Sequence, residues 1–179
     1  GELSIQGVYD AVGEKLRDTF PDSGVSVRIW DGESACWLHP YTHYDGRRIV
    51  VPPMAMGEKG FAPQVMRTGK TLLINQHFQA EAERVGSPQY VQYAQDAPVT
   101  MSQLMVPLIS GGQTRGILQL MDVRREHAFS ESDVRLLETL AASMSVALEN
   151  ARLFDETQRL LKETEARNTE LAVINSIQD

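Results

Sequence analysis

The chain has 179 residues, with 42% apolar and 23% charged residues, which excludes a disordered chain and predicts one folded domain with an additional segment. A net charge of −7 and basic clusters no longer than two residues argue against a nucleic-acid-binding surface. The single cysteine, Cys36, excludes an internal disulfide, and the apolar runs are too short to cross a bilayer, so we expect a cytoplasmic protein that binds neither nucleic acid nor membrane.

The N-terminal part predicts a helix followed by a hairpin. Apolar residues recur at helical spacing from Ile5 to Leu16, and the turn residues of segment 21–24 end that helix. Strict alternation over residues 25–29 predicts a strand, which a turn joins to a second apolar run at residues 36–38.

The middle of the chain changes pattern repeatedly. Residues 49–51 predict a strand that Pro52 and Pro53 end, Phe61 and its apolar neighbours predict a short helix, and residues 72–74 predict another strand. Residues 76–100 have weak periodicity, which predicts helical turns mixed with a long loop. Long connections of this kind often carry function.

The C-terminal part predicts a second hairpin and one long helix. Residues 104–108 alternate, and residues 117–123 return as a mostly apolar strand. Ser130, with Asp133 three residues later, predicts a helix that begins at about residue 131, and no glycine or proline follows Gly116. The order of elements predicts an α+β fold with a central, mostly antiparallel sheet and a long C-terminal helix.

A set of spaced residues runs from the second hairpin into this helix: Ser102, Val106-Pro107-Leu108, Gly116, Leu118, Leu120, Phe129-Ser130, Asp133, Leu136-Leu137, Leu140-Ala141, Ala147-Leu148, Asn150-Ala151 and Leu153. A fainter match continues upstream through Gly60, Val65, Thr68-Gly69 and residues 72–74. Over about residues 5–155 the chain resembles the GAF family of sensory domains. The segment from Ala147 onward is similar to the linker that follows one GAF domain and leads into another in multidomain bacterial sensors.

The resemblance implies a GAF-like sensory domain over residues 1–155, with helices on one face of the sheet and a ligand-covering segment on the other. Residues 156–179 would form a helical coiled-coil linker toward a following domain, and the parent protein would end in a cyclase, histidine kinase or similar output domain. The chain itself contains no catalytic constellation that we recognise, so we expect an input module and not an enzyme.

A small-molecule pocket is predicted beneath residues 76–100, which combine aromatic and polar side chains. Because neighbouring strand residues point to opposite faces, only part of the strand set can face such a pocket. The predicted ligand-binding residues are Arg28, Trp30, Phe61, Val65, His77, Phe78, Tyr90, Tyr93, Asp96, Ser102, Leu104 and Leu118.

Known cofactors and metals are not expected. Cys36 lies away from the position where bilin-binding GAF domains carry their cysteine, and an isolated His77 is a poor indication of haem. Cyclic-nucleotide-binding GAF domains share a motif whose lysine this chain lacks, since it has Asp122-Val123, Phe129 and Asp133-Val134 in the matching places. Cys36, His39 and His43 lie on a strand whose successive side chains point to opposite faces, Pro40 interrupts the run, and no fourth ligand is nearby, which argues against a metal.

The C-terminal helix carries an imperfect heptad pattern. Its predicted dimer seam consists of Val146, Asn150, Leu153, Leu160, Leu171 and Ile174. An isolated helix gains little from exposed apolar residues, so we expect a parallel homodimer, the alternative being a solvated single helix. Two functions remain open: a ligand-sensing input module that relays through this helix, and a dimerisation and relay module without any ligand.

Overall fold

The computed structural model describes residues 4–87 and 98–178. Within these ranges the α+β prediction is confirmed, with a mostly antiparallel sheet and a long C-terminal helix. The elements are α1 (Ile5–Thr19), β1 (Gly24–Asp31), β2 (Cys36–Tyr44), β3 (Arg47–Arg48), β4 (Val51–Ala55), α2 (Phe61–Thr68), β5 (Leu72–Ile74), α3 (Phe78–Val85), β6 (Ser102–Ser110), β7 (Gln113–Asp122) and α4 (Glu131–Gln178).

The sheet has the strand order β3-β2-β1-β7-β6-β5, and β4 also pairs with β2. Each pairing is antiparallel, with Val27 opposite Leu118 and Leu120 opposite Leu104. Because side chains alternate across a pleated strand, this register divides every central strand into two sets of residues that face different helices.

One face of the sheet packs against α1 and α4. Val8 and Leu16 of α1 are buried with Met144 of α4 over the central strands. Gly13 lies so close to the Tyr41 ring that a side chain there would overlap it, which lets α1 approach the sheet. Helices α1 and α4 therefore pack on one face of the sheet, opposite to the face that carries α2 and α3.

The other face carries α2 and α3 and a separate apolar cluster. Phe61 and Val65 of α2 are buried against Trp37 of β2, Met105 of β6 and Ile117 of β7. The predicted short helix before Gly69 is confirmed, and segment 76–100 contains the helical turns of α3. The candidate site is on this face.

The predicted strand over residues 49–51 is wrong in its bounds. Strand β4 begins at Val51 and continues through Pro52 and Pro53 to Ala55. Both prolines are exposed on an edge strand, and β4 pairs with β2 through other residues, so their missing N–H groups interrupt no ladder.

Helix α4 begins as predicted and runs without interruption for 48 residues, a length of about 72 Å. Ser130 and Asp133 form a reciprocal capping box, in which each side chain accepts a hydrogen bond from the other's backbone N–H. Its side chains are exposed from residue 152 onward. In the described ranges, no helix combines the length and the apolar character needed to span a membrane.

Candidate functional site

The structure brings five of the predicted ligand-binding residues together on the α2 and α3 face. Trp30 stands edge to face with Trp37, with ring centroids 5.5 Å apart. Phe61 and Phe78 lie 5.5 Å apart where α2 meets α3. Val65 and Arg28 are both buried on this side of the sheet, so this face combines aromatic rings with a buried guanidinium.

A line of buried polar side chains crosses the centre of this face. The Arg28 side chain donates to Gln119 Oε1 at 3.5 Å, and Gln119 Nε2 donates to Gln103 Oε1 at 3.3 Å. Gln103 Nε2 in turn donates to the sulfur of Met105 at 3.1 Å. Arg28 is only 4% exposed and the two glutamines 2% each, an unusual amount of buried polarity for the middle of a sheet.

Trp37 adds an unsatisfied donor to this cluster. The Arg28 guanidinium lies 4.7 Å from the centre of the Trp37 ring, a cation–π geometry. Trp37 is 1% exposed, and its indole Nε1 has no hydrogen-bond partner among the residues that the structure describes. A buried donor without an acceptor costs about 1–3 kcal/mol. The site can therefore gain free energy by taking up an acceptor atom.

His39, also on β2, is held neutral. Burial, and secondarily the positive charge of Arg28, lower the pKa of His39 to about 4. Its buried Nδ1 likewise has no partner within the described ranges. At neutral pH the imidazole therefore contributes no charge to the cluster.

Three predicted site residues lie elsewhere. Leu104 and Leu118 pack into the core beneath α1 and α4, because alternation sends them to the opposite face from Gln103 and Gln119. The Ser102 hydroxyl is buried, donates to Arg125 O at 2.8 Å and accepts from the Ala128 N–H at 3.3 Å. This serine ties β6 to the connection before α4.

The remaining residues predicted from segment 76–100 divide into two groups. His77 is exposed at the N-cap of α3, in a left-handed backbone conformation, and its side chain makes no capping bond. Tyr90, Tyr93 and Asp96 lie outside the described residues.

The predicted dimer seam is exposed in the single chain. Its apolar members retain between 44% and 62% of their surface, and Asn150 is exposed as well. A groove of about 560 Å³ between β6 and α4 is lined in part by Val146 and Asn150, the first two seam residues. The apolar residues of the seam are Val146, Leu153, Leu160, Leu171 and Ile174.

Asp122 has a structural role at the end of β7. Its buried carboxylate accepts from the backbone N–H groups of Arg124 and Arg125, and the Arg125 guanidinium lies 3.1 Å away. Burial acts to raise the pKa of Asp122, but these donors outweigh it and hold the pKa below its usual value. Cys36, His39 and His43 belong to no cluster able to hold a metal in the described part of the chain.

The sequence prediction missed Trp37, His39, Gln103 and Gln119 as site residues. A signal for the glutamines was present in the strand alternation, because Gln119 stands between Leu118 and Leu120 and Gln103 directly precedes Leu104. The positions of Trp37 and His39 depend on how β2 pairs with β1, which includes an irregularity between Val27 and Ile29.

Similarity to solved structures shows the same fold. The GAF domain of an Acinetobacter phosphoenolpyruvate-protein phosphotransferase is 18% identical, covers 84% of this chain and 85% of that one, and gives a TM-score of 0.66. The GAF domain of Thermosynechococcus elongatus PixJ, in its blue-light absorbing form, is 15% identical over 89% and 93% of the two chains, with a TM-score of 0.66.

A type II free methionine-R-sulfoxide reductase from Thermoplasma acidophilum is 15% identical over 82% and 92% of the two chains, with a TM-score of 0.61. No curated protein matches the sequence. The family profile described as "GAF domain" matches residues 2–149, most of the chain. This chain therefore belongs to the GAF domain family of regulatory sensory modules.

Proposed function

We propose that this GAF domain is a ligand-sensing input module, which binds a small molecule on the α2 and α3 face and relays through α4 as a parallel homodimer. The observation that carries the ligand proposal is the buried indole N–H of Trp37 beside the Arg28, Gln119 and Gln103 line. Apolar side chains would fill the same space at lower cost if only packing were required. The chemistry favours a compact ligand with an acceptor atom and an apolar body.

The test combines identification and mutation. Native mass spectrometry of the purified protein, followed by a thermal-shift screen of metabolites, identifies a binding molecule. Trp37→Phe removes the N–H while retaining an aromatic ring. We expect it to lower the affinity for that ligand by about tenfold, which corresponds to the loss of one hydrogen bond. Trp30→Phe removes the same atoms from the neighbouring ring of the site, whose indole nitrogen is not among the buried atoms that lack a partner in the described ranges, and so controls for the loss of ring area. No ligand, or equal losses in both variants, would contradict the proposal.

The charge pattern of α4 supports the parallel orientation. One heptad position beside the seam holds glutamate in four consecutive repeats. In an antiparallel pair the glutamates of the two helices would face and repel each other. Arg152 pairs with Glu149 and Glu156 at 2.8 and 3.1 Å, and Arg159 pairs with Glu163 at 3.0 Å, so these three carboxylates have partners on their own helix. The glutamates are Glu149, Glu156, Glu163 and Glu170.

Sedimentation of the intact chain tests the dimer. Leu160→Asp places two like charges in the proposed seam and is expected to give a monomer. Gln158→Asp introduces the same charge at an exposed position outside the seam and should leave a dimer. A monomeric parent chain, or equal behaviour of the two variants, would remove the dimeric relay.

The second candidate, a relay module without a ligand, is favoured by one observation: Gln119, Gln103 and Met105 satisfy one another in series. A saturated screen with no binding molecule, together with a dimer that depends on Leu160, would favour it. In both cases we propose a cytoplasmic, non-catalytic module that binds no metal, haem, bilin or cyclic nucleotide, nucleic acid or membrane. Residues 156–179 would then link it to a following output domain, as in tandem GAF sensors.

A further inference from the structure

Asn75 joins the two faces of the domain. It lies in the short connection between β5 and α3, three residues before Phe78 of the candidate site. Its side-chain Nδ2 donates to Phe129 O at 2.8 Å, and the Phe129 N–H donates back to Asn75 Oδ1 at 3.3 Å. The Asn75 carbonyl also accepts from the His127 N–H at 2.6 Å. One asparagine thus holds the chain segment that leads into α4.

Phe129, to which Asn75 is hydrogen-bonded, is a core residue on the face of the sheet that carries α1 and α4. Phe129 is 3% exposed, packs in the core beneath α1 and α4, and stands edge to face with Phe20 at 6.3 Å. Phe20 is the C-cap of α1, and Ser130, the next residue after Phe129, is the N-cap of α4. A displacement of Phe129 would therefore reach both helices at once.

The backbone on either side of this link is held in an uncommon conformation. His77 and His127 both adopt left-handed backbone at φ 54°, a region that is costly for residues with a β-carbon. Neither position is within a helix or strand, so each can change its backbone angles without breaking a regular ladder. The segments around His77 and His127 can therefore act as hinges, and the hydrogen bonds of Asn75 fix their relative position.

We propose that Asn75 is a positioning residue that couples the α3 segment to the start of α4. Movement of α3 against α2, at Phe78 and Phe61, shifts Asn75 and through it the Phe129 anchor and the first turn of α4. As a regulatory route this rests on the proposed ligand-sensing function, because a ligand beneath α3 would supply the movement. The mechanical link itself requires no ligand.

A double-mutant cycle measured by residue-resolved amide hydrogen exchange tests the link in the full chain without a ligand. Phe78→Ala loosens the first turn of α3, and in the parent protein we expect the Val134 amide, in the first turn of α4, to exchange about fivefold faster. In the Asn75→Ala background the same Phe78→Ala change is expected to alter that exchange less than about twofold. A purely structural Asn75 would leave the effect of Phe78→Ala unchanged.

Two further variants complete the design. Thr71→Ala removes another hydrogen bond between the β5 region and α4, from the Thr71 hydroxyl to Glu138 at 2.7 Å, and should preserve the response at Val134. Asn75→Asp keeps the side-chain volume and the acceptor but loses the donor to Phe129 O, and should abolish the response as alanine does. If Phe78→Ala leaves Val134 unchanged in the parent, or acts equally in both backgrounds, the coupling role is overturned. Failure to find a ligand would instead remove the sensory function and leave this result standing.

Discussion

The electrostatics of the candidate site predict how stability depends on pH. Burial and the neighbouring Arg28 charge lower the pKa of His39 from its ordinary value of 6.5 to about 4 in the folded domain. The unfolded chain therefore binds more protons than the folded one between these two values. Because proton binding then favours unfolding, the contribution of neutral His39 is complete above pH 6.5 and is lost progressively as the pH falls toward 4.

The magnitude follows from the two pKa values. A pKa of about 4 in the folded domain against 6.5 in the unfolded chain corresponds to about 3 kcal/mol in the limit of low pH, and about 2 kcal/mol of this is lost between pH 7.5 and 5.0. His39→Gln keeps a polar side chain of similar reach and cannot be protonated. We therefore expect the parent domain to lose about 2 kcal/mol more than His39→Gln over this interval.

Urea unfolding of both proteins at pH 7.5 and 5.0, at one ionic strength, measures the difference. The carboxylates whose pKa values are lowered, such as Asp122, titrate equally in both proteins and cancel in the comparison. An NMR titration of the His39 ring gives the folded-state pKa directly. Equal losses in the two proteins, or a His39 titration near pH 6.5, would refute the conclusion that burial and the Arg28 charge lower the pKa of His39.

Three other outcomes test the packing. Gly13→Ala should destabilise the domain by about 1–3 kcal/mol in thermal or chemical unfolding, because its β-carbon would overlap the Tyr41 ring; an unchanged midpoint would contradict the close approach of α1 to the sheet. Ser130→Ala should cost about 1 kcal/mol by removing the cap of α4, measured in the same way, whereas Ser132→Ala, at the exposed second position of the helix, should be nearly neutral. A chain that ends at residue 155 should retain the parent's near-ultraviolet circular dichroism while losing the dimer in sedimentation, since the residues beyond it are exposed; loss of the folded signal would show that the linker stabilises the domain.

Local patterns in the sequence predicted the elements on which this fold depends. The helical spacing before Phe20, the alternation in the strands around Leu104 and Leu118, and the capping pair Ser130 and Asp133 each correspond to a structural feature. They are readable because helix periodicity, strand pleating and capping involve residues only a few positions apart. The same locality explains the error at β4, where the exposed edge tolerates prolines that would end an interior strand.

The sequence by itself determined most of the elements, the alternation of side chains along the central strands and the resemblance to GAF domains. Tertiary structure alone decided that Arg28 meets Gln119 and Trp37, and that Asn75 meets Phe129 across 54 positions of the chain. These contacts depend on strand order and on the register between distant segments, which the packing of both apolar clusters sets together. Register is a property of the whole core, because a one-residue shift would send every side chain of a strand to the other face.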